Sequence, residues 1–348
     1  MGGEGSRKSM TRPQAVARVL ERVTKTARAH GMFAAADTVL VSVSGGPDSI
    51  CLLYSLWHLR RLLKIRLEVF HFDHRLRPDS GADATYVRRV SERLKLPFHL
   101  VAADDGPAKG QSIEAWATVR RGNAANQVRK AIGASVVAEG HTLDDQAETV
   151  LLNLFRGSGL EGVSGLWPGT RGHALVQPLI EVERAEVEAF CRALHLRPRR
   201  DPTNADPRHL RNVIRNEVLP AIERAAGRNV RAPIARSAEL LREDRLELYA
   251  AGVEASGRIV SEGDGETRFD ADALSSLPRP VGSRVVRLAL YRVLSLDDAA
   301  PWSKESVDAV LDLAAGRPGR RRDLAHGLKA RRARGYVSVS RTSPESRV

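Results

Sequence analysis

A Gly- and Ser-rich turn follows the first apolar run of the sequence. The run is Val39–Val43, the turn is Ser44-Gly-Gly-Pro-Asp-Ser49, and an apolar helical pattern begins at Ile50. Backbone N–H groups converge where a strand leads into a helix, and the helix dipole adds positive potential there. Gly45 and Gly46 would let a phosphate approach the backbone, and the two serine hydroxyls can donate hydrogen bonds to it. The hexapeptide therefore predicts a phosphate-binding loop.

Asp48 lies inside this turn, where its charge would repel a phosphate unless a cation bridges the two. Mg²⁺ binds carboxylate and phosphate oxygens, so we expect Asp48 to be a magnesium ligand. The turn is not a Walker A loop, because no Gly-Lys-Ser/Thr follows, and it lacks the G-x-G-x-x-G spacing of dinucleotide-binding turns. An ordinary strand-to-helix turn with a capping Asp or Ser is the alternative.

Three carboxylates are crowded into the start of a later helical pattern, at Asp144, Asp145 and Glu148. Residues four apart lie on one helix face, so Asp144 and Glu148 are neighbours there. Such crowding is unfavourable unless a cation lies among the carboxylates. We expect that cation to be Mg²⁺ or an ammonium group of a free amino acid such as lysine. A solvated helix with an acidic first turn is the alternative.

Basic side chains accompany two other segments. His71 and His74 lie at the end of the second apolar run, at the sheet edge where open parallel sheets bind ligands. Arg208, Arg211 and Arg215 are spaced i, i+3 and i+7, which predicts a stripe on one helix face that suits phosphates. A solvated charged face is the alternative.

Short apolar runs alternate with helical patterns through the first half of the chain. Such runs are typical of strands buried on both faces, and their alternation with helices predicts βαβ units. We therefore expect an α/β fold with a doubly wound parallel sheet. The predicted strands are 39–43, 67–72, 98–101, 135–138 and 174–176, and the predicted helices are 13–30, 50–63, 81–94, 113–132, 143–155 and 183–194.

The pattern changes beyond residue 182. Residues 213–250 are strongly helical, and the Gly/Ser/Glu-rich stretch 253–267 predicts a linker. Residues 269–340 combine two helical patterns with a β-like end. We expect a loose tail over 1–12, a phosphate-binding catalytic domain over 13–225, a helical connector and linker over 226–267, and a small, basic, mixed α/β domain over 268–348.

The composition favours an anionic partner. The 348 residues include 55 Lys and Arg against 42 Asp and Glu, a net charge of +13. Such a balance is typical of nucleic-acid-binding proteins, although a basic surface can also serve solubility alone. No apolar run approaches the roughly 20 residues that span a bilayer, and the first ten residues lack the apolar core of a secretory signal. We therefore expect a cytoplasmic protein without membrane contact.

Four segments carry a resemblance to a known family. Ser44–Ser49 resembles the S-G-G-x-D-S loop of the N-type ATP pyrophosphatases, or PP-loop enzymes, which cleave ATP between its α and β phosphates. Within that superfamily, His71–Arg77, Gly140–Thr149 and Asp201–Pro220 resemble the corresponding segments of the tRNA(Ile)-lysidine synthetase family.

The resemblance implies a two-step reaction. ATP would adenylate C2 of the wobble cytidine in a tRNA(Ile) with a CAU anticodon, and free L-lysine would then displace AMP, giving lysidine, AMP and pyrophosphate. Mg²⁺ is the expected cofactor, and a homodimer is left open. The implied ATP-binding residues are Ser44, Gly45, Gly46, Pro47, Asp48, Ser49 and Gly140, the catalytic or lysine-binding residues are Asp48, Asp144, Asp145, Glu148, His74 and Arg121, and the tRNA-binding residues are Arg208, Arg211, Arg215, Arg320, Arg321 and Arg322.

The chain departs from the family pattern on its third predicted helix. The family usually shows E-A-x-A-R-x-x-R-Y there, whereas this chain has Thr118 at the first Arg position and Gly122 at the Tyr position, and keeps only Arg121. If the first Arg normally contacts ATP or substrate, Arg120 has to take over that contact or activity falls. The C-terminal resemblance is weaker and rests on a basic stretch that can hold a phosphate backbone.

Two other functions remain open. A PP-loop enzyme that thiolates tRNA usually needs paired cysteines or an iron–sulfur cluster, but Cys51 and Cys191 form no C-x-x-C pair, and two such cysteines make neither a disulfide framework nor a zinc motif. A catalytically inert RNA-binding module is disfavoured because the acidic cluster would repel RNA.

Overall fold

The computed structural model describes residues 13–76, 80–110, 112–199, 209–263, 265–293 and 303–341. The chain divides into two compact units, residues 1–239 and residues 240–348. Among the described residues, no helix combines the length and the apolar character that crossing a bilayer requires.

The first unit is built on a five-stranded parallel sheet. Its strands run in the order β3-β2-β1-β4-β5. The chain adds β2 and β3 on one side of β1 and then crosses over to add β4 and β5 on the other side. This reversal next to β1 is the point at which open α/β sheets bind their ligands. The predicted doubly wound sheet is confirmed. The strands are β1 (Thr38–Ser42), β2 (Arg66–Asp73), β3 (Phe98–Ala102), β4 (Val136–Ala138) and β5 (Leu175–Val176).

Helices cover both faces of this sheet. Alternate residues of β1 point to opposite faces, so Val39 and Val41 join an apolar cluster with α1, α2, α3 and α7, whereas Leu40 joins another with α4. A third, small cluster packs Leu152 of α5 against Ile214 and Leu219. The helices are α1 (Gln14–Ala29), α2 (Pro47–Leu59), α3 (Ser80–Leu94), α4 (Ile113–Ala131), α5 (Leu143–Phe155), α6 (Leu160–Val163), α7 (Arg184–Ala193), α8 (Leu210–Val213) and α9 (Leu219–Ala226), with a π-helical turn (Ile214–Val218) between α8 and α9.

In its described residues the second unit contains an antiparallel sheet, three whole helices and the C-terminal part of a fourth. Its strand order is β6-β7-β10-β9-β8, and Phe269, Leu290 and Val310 lie in its core. The elements are α10 (Arg231–Ile259), which includes the division between the units, then β6 (Val260–Gly263), β7 (Glu266–Asp270), α11 (Ala271–Ser276), α12 (Arg279–Val293), α13 (Lys304–Ala315), β8 (Arg321–Asp323), β9 (Leu328–Arg332) and β10 (Tyr336–Arg341).

The predicted linker over 253–267 is wrong. These residues form the end of α10 and most of a β hairpin, β6 paired antiparallel with β7. Ala255 and Ile259 of α10 and Thr267 of β7 are buried, so the stretch contributes to the packed interior of the second unit. The few buried side chains are separated by Gly, Ser and Glu, whose exposed positions dominate the composition of the stretch.

Candidate active site

The hexapeptide forms a tight turn between β1 and α2. Gly45 has φ +97°, a conformation that L side chains rarely adopt, and Gly46 is the N-cap of α2. The Ser49 hydroxyl accepts a hydrogen bond from the Gly45 N–H at 3.2 Å and donates one to the Gly46 carbonyl at 3.0 Å. Ser44 Oγ lies 3.2 Å from Ser49 Oγ. The turn is therefore held in one shape by its own serines, at the positive end of a helix.

Gly140 lies against this turn from the neighbouring strand β4. A Cβ at position 140 would lie 3.1 Å from the carbonyl carbon and oxygen of Asp48 and 3.2 Å from the Ser49 nitrogen. Backbone atoms cannot give way cheaply, so only glycine lets the end of β4 approach the turn this closely. The structure thus brings together all seven residues predicted to bind ATP.

Asp48 has an unsatisfied carboxylate oxygen. Its Oδ1 atom is buried and has no hydrogen-bond partner within the described part of the chain. Burial, together with the negative charge of Asp145, raises the pKa of Asp48 to about 7. The described residues contain no group of three or more His, Cys, Asp or Glu side chains arranged to hold a metal ion. One free carboxylate beside a phosphate loop fits Mg²⁺, which proteins commonly bind through one or two carboxylates plus substrate phosphates.

The three crowded carboxylates are buried at the start of α5. Asp145 completes a capping box, in which its Oδ2 accepts hydrogen bonds from the backbone N–H of Thr142 at 2.9 Å and from the Thr142 hydroxyl at 2.8 Å. Glu148 is 1% exposed, and Asp144 is 9% exposed. This is not the solvated acidic turn that the sequence left open, because buried carboxylates need compensating charges.

The charges that compensate these carboxylates within the chain are arginines, and the Mg²⁺ or free ammonium expected from the sequence stays a prediction. Arg184 contacts Asp145 Oδ1 at 3.1 Å and Glu148 Oε1 at 3.3 Å. Arg215 contacts Glu148 Oε1 at 2.6 Å and Oε2 at 2.7 Å, and Asp145 Oδ1 at 3.2 Å. Arg211 contacts Glu148 Oε2 at 3.2 Å. Although burial raises the pKa of Asp145, the arginines, led by Arg184, bring it below its usual value.

Arg211 and Arg215 therefore face the carboxylates in this structure. They come from α8 and the π-helical turn, which Ile214 and Leu219 pack against Leu152 of α5. The predicted phosphate-binding stripe is thus turned inward at these two positions. The third predicted member, Arg208, lies outside the described residues.

Two arginines of this network were not predicted. Arg184 begins α7, and Arg231 forms an ion pair with Asp144 at 3.0 Å. Neither lies in a recognised motif. The sequence indicates them only indirectly. Three clustered carboxylates without a basic residue among them need positive charges from another part of the chain.

His74 and Arg121 lie near each other at the end of β2 and on α4. Burial, together with the charge of Arg121, lowers the pKa of His74 to about 4. His74 is therefore neutral at pH 7, and its ring meets Phe72 edge-on at 4.7 Å. His71 is fixed by a 2.7 Å hydrogen bond from its Nδ1 to the Val43 carbonyl. It fastens β2 to the start of the phosphate-binding loop.

Arg120 is engaged by two aspartates in this structure. Its guanidinium pairs with Asp104 at 2.8 Å and Asp105 at 2.7 Å, in an exposed group at the surface. Gly122 is exposed on α4, and a Cβ there would meet nothing within 4 Å.

The predicted basic residues of the second unit lie beside a concave sheet face. Arg321 and Arg322 are exposed on β8, and they line a groove of about 610 Å³ together with Lys329, Arg331 and Tyr336. Arg320 is exposed just before β8. Lys329 and Arg331 alternate with buried Leu328 and Ala330 on β9, which explains their shared outward face.

A parallel sheet with this strand order and a Ser-Gly-Gly-Pro-Asp-Ser turn after β1 defines a PP-loop enzyme that uses ATP. Residues 14–222 match the PP-loop domain family. A tRNA(Ile)-lysidine synthase from Symbiobacterium thermophilum is 37% identical over 339 residues, which cover 94% of this chain and 70% of the relative. One from Gloeobacter violaceus is 36% identical, covering 86% of this chain and 90% of the relative. The chain belongs to the tRNA(Ile)-lysidine synthase family.

A solved structure shares the fold at lower identity. The U34-tRNA thiolase NcsA from Methanococcus maripaludis, solved with its [4Fe–4S] cluster, has a TM-score of 0.56 and 18% sequence identity. The match covers 66% of this chain and 79% of the thiolase chain. At this identity the likeness concerns the fold alone.

Proposed function

We propose that this chain ligates free L-lysine to C2 of the wobble cytidine of tRNA(Ile) with a CAU anticodon, through an ATP-derived adenylate. The observation that carries the proposal is the meeting of two unlike sites at the same sheet edge. One is a phosphate loop in which Asp48 Oδ1 has no hydrogen-bond partner among the described residues. The other is the buried pair Asp145 and Glu148, and the negative charge of Asp145 contributes to the raised pKa of Asp48. The first suits a triphosphate, and the second suits a cationic amino acid.

The first step is the transfer of AMP to the cytidine. The backbone N–H groups of the loop and the Ser44 and Ser49 hydroxyls would bind the phosphates, with the α2 dipole favouring negative charge there. Asp48 would hold Mg²⁺, which when bound neutralises charge on the pyrophosphate leaving group. Neutral His74 and the neighbouring Arg121 would contact the reacting nucleotides. Adenylation is chemically necessary because the bare carbonyl oxygen leaves poorly, whereas AMP leaves readily.

The second step is attack by a lysine amine on C2. Asp145 and Glu148 would bind an ammonium group and orient the amino acid. The attacking amine has to lose a proton, whereas ionised carboxylates stabilise its charged form. We therefore assign the buried pair to ammonium binding, which leaves proton removal to a different group. The basic face of the second unit, with Arg320, Arg321 and Arg322, would bind the tRNA backbone.

Thiolation of tRNA is the competing function. A sulfur-transfer cysteine has to be reactive, and reactivity requires a thiolate. Both cysteines are buried and free. Burial and nearby carboxylates raise the pKa of Cys191 to about 12, and burial raises that of Cys51 as well. These properties favour inert core thiols and support lysine ligation. The cytoplasmic location and the homodimer remain predictions.

The test is a product assay with tRNA(Ile) transcript, ATP, Mg²⁺ and radiolabelled L-lysine, with each component omitted in turn. We expect lysine to be incorporated into the RNA, with stoichiometric release of AMP and pyrophosphate. Asp48→Ala should abolish pyrophosphate release and keep tRNA affinity within a few-fold. Asp105→Ala, at an exposed ion pair, is the matched control. Product formation that needs a sulfur donor instead of lysine would establish thiolation, and no pyrophosphate release from the wild type would indicate an RNA-binding module.

A further inference from the structure

The carboxylates assigned to lysine are fully occupied by the protein's own donors. A carboxylate offers about four lone-pair directions, two on each oxygen. Glu148 Oε1 accepts from Arg184 and Arg215, and Oε2 accepts from Arg211 and Arg215. Asp145 Oδ1 accepts from Arg184 and Arg215, and Oδ2 accepts twice from Thr142. An incoming ammonium can therefore bind this pair only by displacing a donor.

The charges also balance without a substrate. Asp145 and Glu148 are contacted by three guanidiniums, those of Arg184, Arg211 and Arg215. Arg211 also meets a third carboxylate, Glu114, at 3.7 Å, so three negative charges face three positive charges in this group. A fourth cation would enter a group that carries no excess negative charge. Binding of a cation to such a site is unfavourable unless one guanidinium leaves or an anion arrives.

Arg215 occupies the position that best matches an ammonium. It binds three acceptor atoms, Glu148 Oε1, Glu148 Oε2 and Asp145 Oδ1. A lysine ammonium has three N–H donors, so its hydrogen-bonding capacity equals what Arg215 would vacate. Arg184 is a poorer candidate for leaving, because its own backbone N–H is bound to Asp144 Oδ2 at 2.8 Å and fixes the residue at the start of α7.

The backbone that carries Arg215 is also suited to rearrangement. Arg215 lies in the π-helical turn Ile214–Val218, and π-helical turns within α-helices often occur at functional sites. Arg211, on the preceding turn, makes a single contact with Glu148 and a second with Thr149 Oγ1 at 2.9 Å. Both side chains are about one-quarter exposed, so solvent and a bound anion can reach them.

We propose that Arg215 is an internal substitute for the substrate ammonium, and that the phosphates of bound RNA draw it away so that lysine can enter. This inference rests on the proposed function and adds an order of events to it. Guanidinium binds phosphate and carboxylate with similar bidentate geometry, so a phosphate can compete for Arg215. Without RNA the carboxylates stay paired with Arg215. With RNA bound, Glu148 and Asp145 recover three acceptors and a net negative charge.

The coupling is reciprocal, because a ligand shifts an equilibrium only through its different affinity for the two states. RNA binding should strengthen lysine binding, and lysine should strengthen RNA binding by the same factor. Such coupling would keep free lysine out of the site until the nucleotide that it attacks is present.

The experiment is equilibrium dialysis of radiolabelled L-lysine against the full chain. It is done with enzyme alone and with tRNA(Ile) transcript plus α,β-methylene-ATP, which cannot be cleaved. We expect the wild type to bind lysine at least tenfold more weakly alone than in the complex. Arg215→Gln should bind lysine alone at least tenfold more tightly than the wild type alone. Arg224→Gln, at an exposed position on α9 with the same change of charge, should behave as the wild type.

Three outcomes would overturn the inference. One is wild-type lysine affinity that does not depend on RNA, which is measured without any variant and so does not depend on the folding of Arg215→Gln. The others are an unchanged or a weaker lysine affinity of Arg215→Gln, because a residue that merely shapes the pocket or contacts lysine would give these results. If the wild type instead transfers no lysine to RNA under any condition, the proposed function itself fails.

Discussion

Asp144 accepts a hydrogen bond from the backbone N–H of Arg184 at 2.8 Å, so a carboxylate from α5 caps the start of α7. Its other oxygen, Oδ1, forms the ion pair with Arg231. Both oxygens of Asp144 are thus engaged in joining elements of the first unit. Asp145 and Glu148, by contrast, converge on the arginines of the proposed lysine site. The three neighbouring carboxylates therefore divide into one that supports the architecture and two that face the chemistry.

Asp144→Ala should accordingly destabilise the fold more than it changes lysine recognition. Loss of a helix-capping carboxylate costs about 0.5–2 kcal/mol, and Arg231, which keeps only its ion pair with Glu223, adds to that cost. We expect a lower free energy of unfolding in urea titrations, with a KM for lysine within about threefold of the wild type. Asp145→Ala is the comparison, and its lysine KM should rise by at least tenfold. Equal effects of both variants on the KM would contradict the division.

The pH dependence of stability should report Asp48. Its folded-state pKa of about 7 lies above the ordinary value of 3.8, so the folded state holds the proton more tightly. The stabilisation is complete below about pH 4 and is lost as the pH rises towards 7, because the unfolded chain releases the proton first. Asp48→Asn removes this titration. Its unfolding free energy should match that of the wild type near pH 4 and exceed it by up to about 4 kcal/mol at pH 8.

The measurement is urea unfolding of both proteins in EDTA between pH 4 and pH 8. A difference that stays constant over this range would show that Asp48 does not titrate as described. Adding Mg²⁺ and ATP should stabilise the wild type at pH 8 and leave Asp48→Asn less affected, because the ionised carboxylate is the expected ligand.

Much of the first unit could be predicted because its signals are local. The strand β1, the turn and the start of α2 are contiguous, and the carboxylates of α5 lie within one stretch of five residues. The arginines that neutralise those carboxylates could not be predicted in the same way. Arg184 and Arg215 lie 36 and 67 positions from Glu148, and only the folded chain brings them together. The inward orientation of Arg215 also depends on the packing of Ile214.

The second unit was harder to predict for a different reason. Strand β9 is Leu-Lys-Ala-Arg-Arg, in which Leu328, Ala330 and Arg332 are buried and the residues between them are exposed. A buried arginine in a highly basic stretch hides the alternation that marks a strand. The charge of this stretch therefore indicates a surface that binds RNA, whereas the strand that carries it becomes visible only in the structure.

Gly140→Ala should disturb the phosphate-binding loop. Its Cβ would press on backbone atoms of Asp48 and Ser49 at 3.1–3.2 Å, and overpacking of this kind costs about 1–3 kcal/mol. We expect the affinity for ATP, measured by calorimetry, to fall by at least tenfold. Gly122→Ala is the matched control, because its Cβ meets nothing within 4 Å on an exposed helix and should stabilise α4 by about 1 kcal/mol. Normal ATP affinity of Gly140→Ala would show that the loop can shift freely.

The basic face of the second unit should bind tRNA through contacts with the phosphates of the RNA backbone. Arg321 and Arg322 are exposed on β8 beside the groove. Of the five lining residues named above, only Tyr336 has an aromatic ring that can stack on a base. Each lost phosphate contact lowers the slope of log affinity against log salt concentration by about 1. Arg321→Gln/Arg322→Gln should therefore bind tRNA(Ile) more weakly at low salt, with a slope reduced by about 2. Arg258→Gln/Arg292→Gln is the matched control, because it removes the same charge from exposed ion pairs on α10 and α12 of this unit. If both double variants reduced the slope equally, the net charge of the protein, and not this face, would govern the binding.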